Sequence, residues 1–230
     1  MHSYAIGDIH GCKRSLLGLL EMLNLQGGDR LIFLGDYIDR GPDSKGVIDT
    51  IVDLQNQDLE VVCLRGNHEQ LFLDARSDPA TQEVWMRNGG KETLDSFGVK
   101  YLHEIPQRYF DFCNDTLFYY ETGNFLCVHG GPDFNLTDPL AHPERLLWAR
   151  YWYDNIDYQW LGNRIILHGH TPEDITAIRE QHKELATRQY LNLDNGCVYA
   201  NRPRGRDNNL GRLLAFGLED GDLMVQENIE

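Results

Sequence analysis

The sequence predicts an α/β fold (α+β in some schemes) in which two mixed β-sheets pack face to face, helices flank them, and a metal site gathers at the carboxyl ends of the strands. Three observations predict it. Short apolar segments at residues 4–6, 31–34 and 59–64 each run into a Gly-Asp or Gly-Asn turn and then a helical pattern. Strands alternating with helices imply parallel pairing with helices on the faces, and polar sites in such sheets collect beyond the strand ends. Metal-capable residues stand just after the strands five times: Asp8 and His10, Asp36 and Asp39, Asn67 and His68, His129, and His170.

The elements follow in order. The first helix carries Leu16, Leu20 and Leu23 on one face, and the second, opened near Pro42, carries Val47, Ile48, Ile51 and Val52. Apolar residues at this spacing need a sheet to cover. Residues 68–113 read as mainly helical, with breaks at Asp78-Pro79, Asn88-Gly89-Gly90 and Ile105-Pro106, and are assigned to a cap beside the site. Strands return at residues 117–121, 125–128, 164–167 and 190–193. A hairpin follows at 213–218 and 223–226 across Glu219-Asp220-Gly221-Asp222. With 230 residues, 41% of them hydrophobic, the chain is expected to form one domain over 1–230.

Composition narrows the function. A formal charge of −15 repels polyanions, so nucleic acid is not an expected partner. Cys12, Cys63, Cys113, Cys127 and Cys197 are odd in number and lack a CxxC pair, which points away from disulfides and thiolate metal sites and toward a reducing cytoplasm. No stretch approaches the roughly 20 apolar residues of a membrane span. The first residues do not read as a signal peptide. A soluble, cytoplasmic protein is expected.

Asp8 and His10, two apart, leave an extended chain on the same side and can share an ion. Oxygen and imidazole donors without thiolates suit manganese, iron or zinc, and Asp36 is the carboxylate placed to bridge a pair of ions. Two such ions roughly 3.5–4 Å apart can hold a hydroxide in line with phosphorus and neutralise phosphate oxygens.

Gly7-Asp8-Ile9-His10-Gly11, Gly35-Asp36-Tyr37-Ile38-Asp39-Arg40-Gly41 and Arg65-Gly66-Asn67-His68-Glu69 resemble, in order and spacing, the three signature motifs of the phosphoprotein phosphatase family within the calcineurin-like metallophosphoesterases. Val128-His129-Gly130-Gly131, Leu147-Trp148-Ala149-Arg150 and His168-Gly169-His170-Thr171 resemble later family elements, so the likeness runs from residue 5 to about residue 200. The resemblance implies two divalent metal ions, manganese first, with iron or zinc as alternatives. Asp8, His10 and Asp36 would hold one, and Asp36, Asn67, His129 and His170 the other. It implies His68 as general acid oriented by Asp39, and Arg40 and Arg150 gripping phosphoryl oxygens. His168 reads as a packing neighbour of His170, and His2, His103, His142 and His182 as solvated surface.

The implied activity is metal-dependent phosphomonoester hydrolysis by direct in-line attack, on phosphoserine or phosphothreonine in protein or on a small phosphoester. The alternative is a symmetrical bis(5'-nucleosyl)-tetraphosphatase. Those hydrolases tend to lack the acid at Asp39 and the arginine at Arg65. The segment Trp85-Met86-Arg87-Asn88-Gly89-Gly90 also resembles small bacterial serine/threonine phosphatases. A non-catalytic phosphoprotein-binding module would be free to lose His68, Asp39 or Arg40, and all three are present. A metallonuclease is disfavoured by the acidic charge. A basic loop carrying Arg202, Arg204 and Arg206, with Arg212 beyond it, is read as a device for recruiting an anionic substrate.

Overall fold

Alternation of apolar side chains along short strands builds two sheets with a shared interior. The computed structural model describes residues 1–200 and 209–230. Its first sheet has strand order β10-β9-β1-β2-β3, with β8 on β9. The strands are β1 (Ser3–Ile6), β2 (Arg30–Phe33), β3 (Glu60–Cys63), β8 (Asp194–Asn195), β9 (Arg212–Gly217) and β10 (Leu223–Glu227). Strands β1, β2 and β3 run parallel, while β9 is antiparallel to β1, β8 and β10. The second sheet, β4-β5-β6-β7, is formed by Tyr119–Thr122, Phe125–Val128, Ile165–His168 and Tyr190–Asn192. Only its β4–β5 pair is antiparallel. Both sheets are mixed, as predicted.

The period of two decides which layer each residue joins. Ala5, Ile32, Leu214 and Phe216 of the first sheet meet Cys127, Leu167 and Leu191 of the second in the central core. Their neighbours Ile6, Leu31, Phe33, Leu213 and Ala215 turn the other way, toward the helices. Helix α1 (Lys13–Leu23) buries Leu16, Leu19 and Leu23 there, and α2 (Ser44–Gln55) buries Val47, Ile48 and Ile51. Each such side chain contributes about 1.5–3 kcal/mol when fully buried. Asp43 caps α2 by accepting the Gly46 N–H at 2.8 Å.

The segment expected to be helical consists of α3 (Asn67–Asp74), α4 (Pro79–Trp85), a π-turn at Met86–Gly90, α5 (Lys91–Phe97) and α6 (Gln107–Asn114). Short helices α7 (Pro143–Leu146) and α8 (Tyr158–Leu161) lie over the outer face of the second sheet, among Leu126, Val128, Ile166 and Trp152. Helix α9 (Ile175–Lys183) was not anticipated. Only Ile175, Ile178 and Gln181 of it are buried, too short an apolar stripe to announce a helix, although the Asp174 cap accepting from Thr176 at 2.6 Å is legible afterwards. A last short helix, α10 (Leu185–Arg188), leads into β7.

Two surface readings change. His182 is half-buried and donates to the Gly221 carbonyl at 2.6 Å, bracing the β9–β10 turn, where a solvated surface histidine was expected. Arg212 sits in β9 with its guanidinium on Glu227 at 2.8 Å. Arg202, Arg204 and Arg206 lie outside the described residues. Among the described residues, no helix is long and apolar enough to cross a membrane.

Candidate metal centre

The turns after β1, β2, β3, β5 and β6 converge at one edge of the two sheets, and most of the candidate residues meet there. Backbone strain marks the place. Of the ten candidates, His10, Asp36, Asp39, Arg40 and His170 hold φ between 47° and 73°, the left-handed region that costs a side-chain-bearing residue energy. Glu69 secures the turns by accepting the N–H groups of Asp36, Tyr37 and Gly66, each at 2.9 Å. Gly66 is required, because a Cβ there would lie 2.1 Å from Asp36 Oδ1.

Donor atoms cluster in two groups, His10 with Asp36 and His68, and Asp36 with His129 and His170. Asp36 belongs to both. Its Oδ2 lies 3.4 Å from His10 Nε2 and its Oδ1 lies 3.4 Å from His129 Nε2, so one carboxylate faces an imidazole on each side. The rings are aimed from behind. The Nδ1–H of His10 donates to the Ile38 carbonyl at 2.8 Å, and that of His129 to the Leu34 carbonyl at 2.9 Å, which turns each Nε2 toward the centre. Asn67 joins the second group, with Oδ1 3.1 Å from His129 Nε2 and 2.8 Å from His170 Nδ1.

Asp8 stands beside these groups rather than in them. Its carboxylate accepts the His170 N–H at 3.1 and 3.2 Å and so holds the His170 turn. Arg40 donates from Nη1 to His10 Nε2 at 2.6 Å. Arg150 is exposed at the rim, where Nη1 meets Thr171 Oγ1 at 2.8 Å and the His170 carbonyl at 3.4 Å. His168 donates toward its own turn and takes the Tyr153 hydroxyl on Nε2 at 3.1 Å, packed against Trp152, as a packing neighbour should.

Burial sets the charges. It pushes His10 well below the ordinary histidine range, helped by Arg40, and His170 down to about 2, so both rings are neutral and able to donate lone pairs. For His129 burial works against protonation, but the Asp36 carboxylate outweighs it and takes the ring up to about 9. Asp36 stays ionised although burial opposes it, because His129, His68 and His10 surround it. A buried anion ringed by imidazoles, with His170 Nε2 buried and without a hydrogen-bond partner among the described residues, is a donor set that fits divalent cations of borderline hardness.

A second cluster adjoins the first. His68 Nδ1 faces Asp39 Oδ2 at 2.7 Å, both side chains being nearly fully buried, and among the described residues His68 Nε2 has no hydrogen-bond partner. Asp39 Oδ1 accepts from Trp85 Nε1 at 3.0 Å and from Thr93 Oγ1 at 2.7 Å. The contacts of Trp85 and Thr93 with Asp39 escaped the sequence reading, which took Trp85 only as part of a family-like segment. Glu69 and Asp194 escaped it too. Asp194 is buried near Asp8 and Asp36 and pushed up to about 6 by that burial. Arg65 turns away from the centre, donating to Thr116 Oγ1 at 3.2 Å, Gln70 Oε1 at 3.0 Å and the Asn114 carbonyl at 2.6 Å.

Two packed mixed sheets with this donor set at their edge define a metallophosphoesterase. Residues 1–200 match the calcineurin-like phosphoesterase family, and the chain belongs to it. It is 39% identical over 90 residues to serine/threonine-protein phosphatase 1 of Salmonella typhimurium, covering 39% of each chain. It is 40% identical over 84 residues to a symmetrical bis(5'-nucleosyl)-tetraphosphatase of Nitrosomonas europaea, covering 36% of this chain and 30% of that one. An asymmetrical bis(5'-nucleosyl)-tetraphosphatase of Anoxybacillus flavithermus is 27% identical over 228 residues, covering 84% and 85%. The matches to the first two thus span only 39% and 30% of those relatives' own lengths. The fold is shared with a protein serine/threonine phosphatase structure from Saccharomyces cerevisiae, at 16% identity and a TM-score of 0.61, covering 100% of this chain and 81% of that one.

Proposed function

We propose that the chain is a metal-dependent phosphomonoester hydrolase acting on phosphoserine or phosphothreonine in protein. The observation that carries this is the buried Asp39–His68 pair: His68 is a member of the first donor group, and among the described residues its Nε2 meets no hydrogen-bond partner. Asp8, His10 and Asp36 would hold one divalent cation, and Asp36, Asn67, His129 and His170 the other, with manganese, iron and zinc all suited to the set. When bound, such a pair makes water more acidic and offsets phosphoryl charge. The chain's own residues do the rest. Arg40 and Arg150 orient the phosphoryl group by hydrogen bonds from planar guanidinium groups. His68 would present a proton on Nε2 to the departing oxygen, while Asp39 accepts the Nδ1–H at 2.7 Å and fixes the ring's orientation.

The leaving group distinguishes the substrates. A serine or threonine alkoxide is strongly basic and departs only if protonated, so an acid held this firmly is useful. Cleavage of a tetraphosphate releases a nucleotide phosphate, a far weaker base that needs little help. The Asp39–His68 pair therefore favours the alkyl phosphoester. Arg65 lends no support through contact, since it faces the α6–β4 connection. The second reading, a symmetrical bis(5'-nucleosyl)-tetraphosphatase, is favoured by relatives of that name. Five buried cysteines are in keeping with a reducing cytoplasm.

Phosphoserine, phosphothreonine and phosphotyrosine peptides competed against a dinucleoside tetraphosphate at one manganese concentration test the proposal. Higher kcat/KM on the first two is expected, with activity abolished by EDTA. A preference for the tetraphosphate would establish the second reading, and no turnover with any divalent cation would overturn both.

A further inference from the structure

We infer that Trp85 and Thr93 are positioning residues for proton donation: they clamp one oxygen of Asp39 so that the other is held on His68, which makes the helical segment part of the leaving-group step. The inference rests on His68 acting as the acid. A carboxylate offers about four acceptor sites on two oxygens, and in a site open to water it can rotate among partners. Asp39 is fully buried and has no such freedom. Oδ1 takes both the Trp85 indole N–H and the Thr93 hydroxyl, which leaves Oδ2 to His68 Nδ1.

The proton directions are determined. The Asp39 N–H donates to Thr93 Oγ1 and to Ser44 Oγ, each at 3.0 Å. Thr93 spends its only hydrogen on the carboxylate, so in the 3.0 Å contact between the two hydroxyls it is Ser44 that donates. Asp39 is thus held at its amide and at its carboxylate by the same threonine. Its φ of 71° is the strained conformation such a grip can maintain.

The approach of the two segments is close. Gly89, at φ 111° in the π-turn between Trp85 and Thr93, accepts the Arg40 N–H at 3.3 Å. A Cβ at Gly89 would lie 2.5 Å from that nitrogen. Trp85, Gly89 and Thr93 thus place a donor, a close approach and a second donor, on either side of the turn at Gly89, against Asp39 and Arg40. A core tryptophan and threonine chosen for packing alone would not need to aim both polar hydrogens at one carboxylate oxygen.

The test compares kcat on phenyl phosphate, a poor leaving group, with kcat on 2,4-dinitrophenyl phosphate, a good one. T93V, nearly isosteric, is expected to lose about tenfold on phenyl phosphate and less than about twofold on the dinitrophenyl ester. T93S should recover most of the loss, and bound metal, by elemental analysis, should equal wild type. In an H68N background T93V should cost nothing further, because the acid it positions is gone. W85F provides the same comparison through the other donor, should T93V fail to accumulate. Equal losses on both esters, a T93V loss that persists in H68N, or no loss in either variant would overturn the clamp. If H68N itself showed no leaving-group preference, the acid assignment would fall and the clamp with it.

Discussion

Two flanks border the donor groups, and they are built in opposite ways. The helical flank, residues 67–114, is closed and aromatic. Phe72 stacks on Phe110 with centroids 4.3 Å apart, Trp85 leans on Phe72 at 5.7 Å, and Trp85 and Thr93 are both fully buried. The other flank, residues 132–155, is open. Trp148 and Tyr151 are 47% and 77% exposed, and Arg150 stands between them at the edge of a groove of about 520 Å³. Trp148, which lines this groove, also meets the edge of His170 with centroids 6.2 Å apart, so one wall of the groove touches a donor ring. The difference teaches where each task can be placed. A proton donor needs fixed neighbours and dry surroundings, whereas an arriving phosphoester needs room and a cation at the rim.

Changes at the shared boundary should have the largest effect. Asp36→Asn removes a charged donor from both groups at once and is expected to lower metal affinity about 100-fold or more, read by elemental analysis, with activity falling alongside. His68→Asn should instead retain both ions and lose about 10²–10⁴ in kcat on phenyl phosphate. If H68N came out metal-free, the separation between acid and metal donors would break down. On the helical flank, Trp85→Ala also empties the space against Phe72. A loss of about 3–5 kcal/mol in stability, seen as a clear drop in Tm, is expected.

The open flank should behave otherwise. Arg150→Ala removes the guanidinium proposed to hold the phosphoryl group and should lower kcat/KM about 10–100-fold, while Tm moves little because the side chain is exposed. A large fall in Tm for R150A, or none for W85A, would erase the contrast between the flanks.

What could be read from the chain alone follows the same division. The fold was legible because strand alternation has a short period, and the meeting of His10, Asp36, His129 and His170 was legible because each stands in a turn behind an apolar strand. Even the β9–β10 hairpin was placed across Asp220-Gly221. The supports were not legible. Trp85 and Thr93 lie 46 and 54 residues from Asp39, and nothing local distinguishes an indole that donates to a carboxylate from one that fills a core. Arg65 shows the converse. Its position beside Asn67 and His68 suggests the site, yet its guanidinium is spent on Thr116, Gln70 and Asn114. Sequence neighbours of a donor share its turn, but the direction of each side chain is decided by packing that no local pattern contains.

The smallest effect concerns the thiols, which report on the closed parts alone. All five cysteines are buried and none lies in residues 132–155. Burial pushes Cys63 and Cys127 up to about 12, so both remain protonated at pH 8, and the thiolate is the reactive form. Iodoacetamide should label essentially none of the five in the folded protein and all five in denaturant. Cys63, at 8% exposure beside a groove, should be the first to yield. The sign of the pH dependence follows. A thiol whose folded value is raised holds its proton where the unfolded chain has released it, so its contribution is complete below the ordinary value of about 8.5. Above that value stability falls by about 1.4 kcal/mol per pH unit for each such thiol, until the folded state also ionises. Labelling of Cys63 that accelerates above pH 8.5 in step with unfolding would place the loss in the closed sheet and helices. Labelling at pH 7 without unfolding would mean that the β3 edge opens on its own, and that the closed side is less closed than its contacts imply.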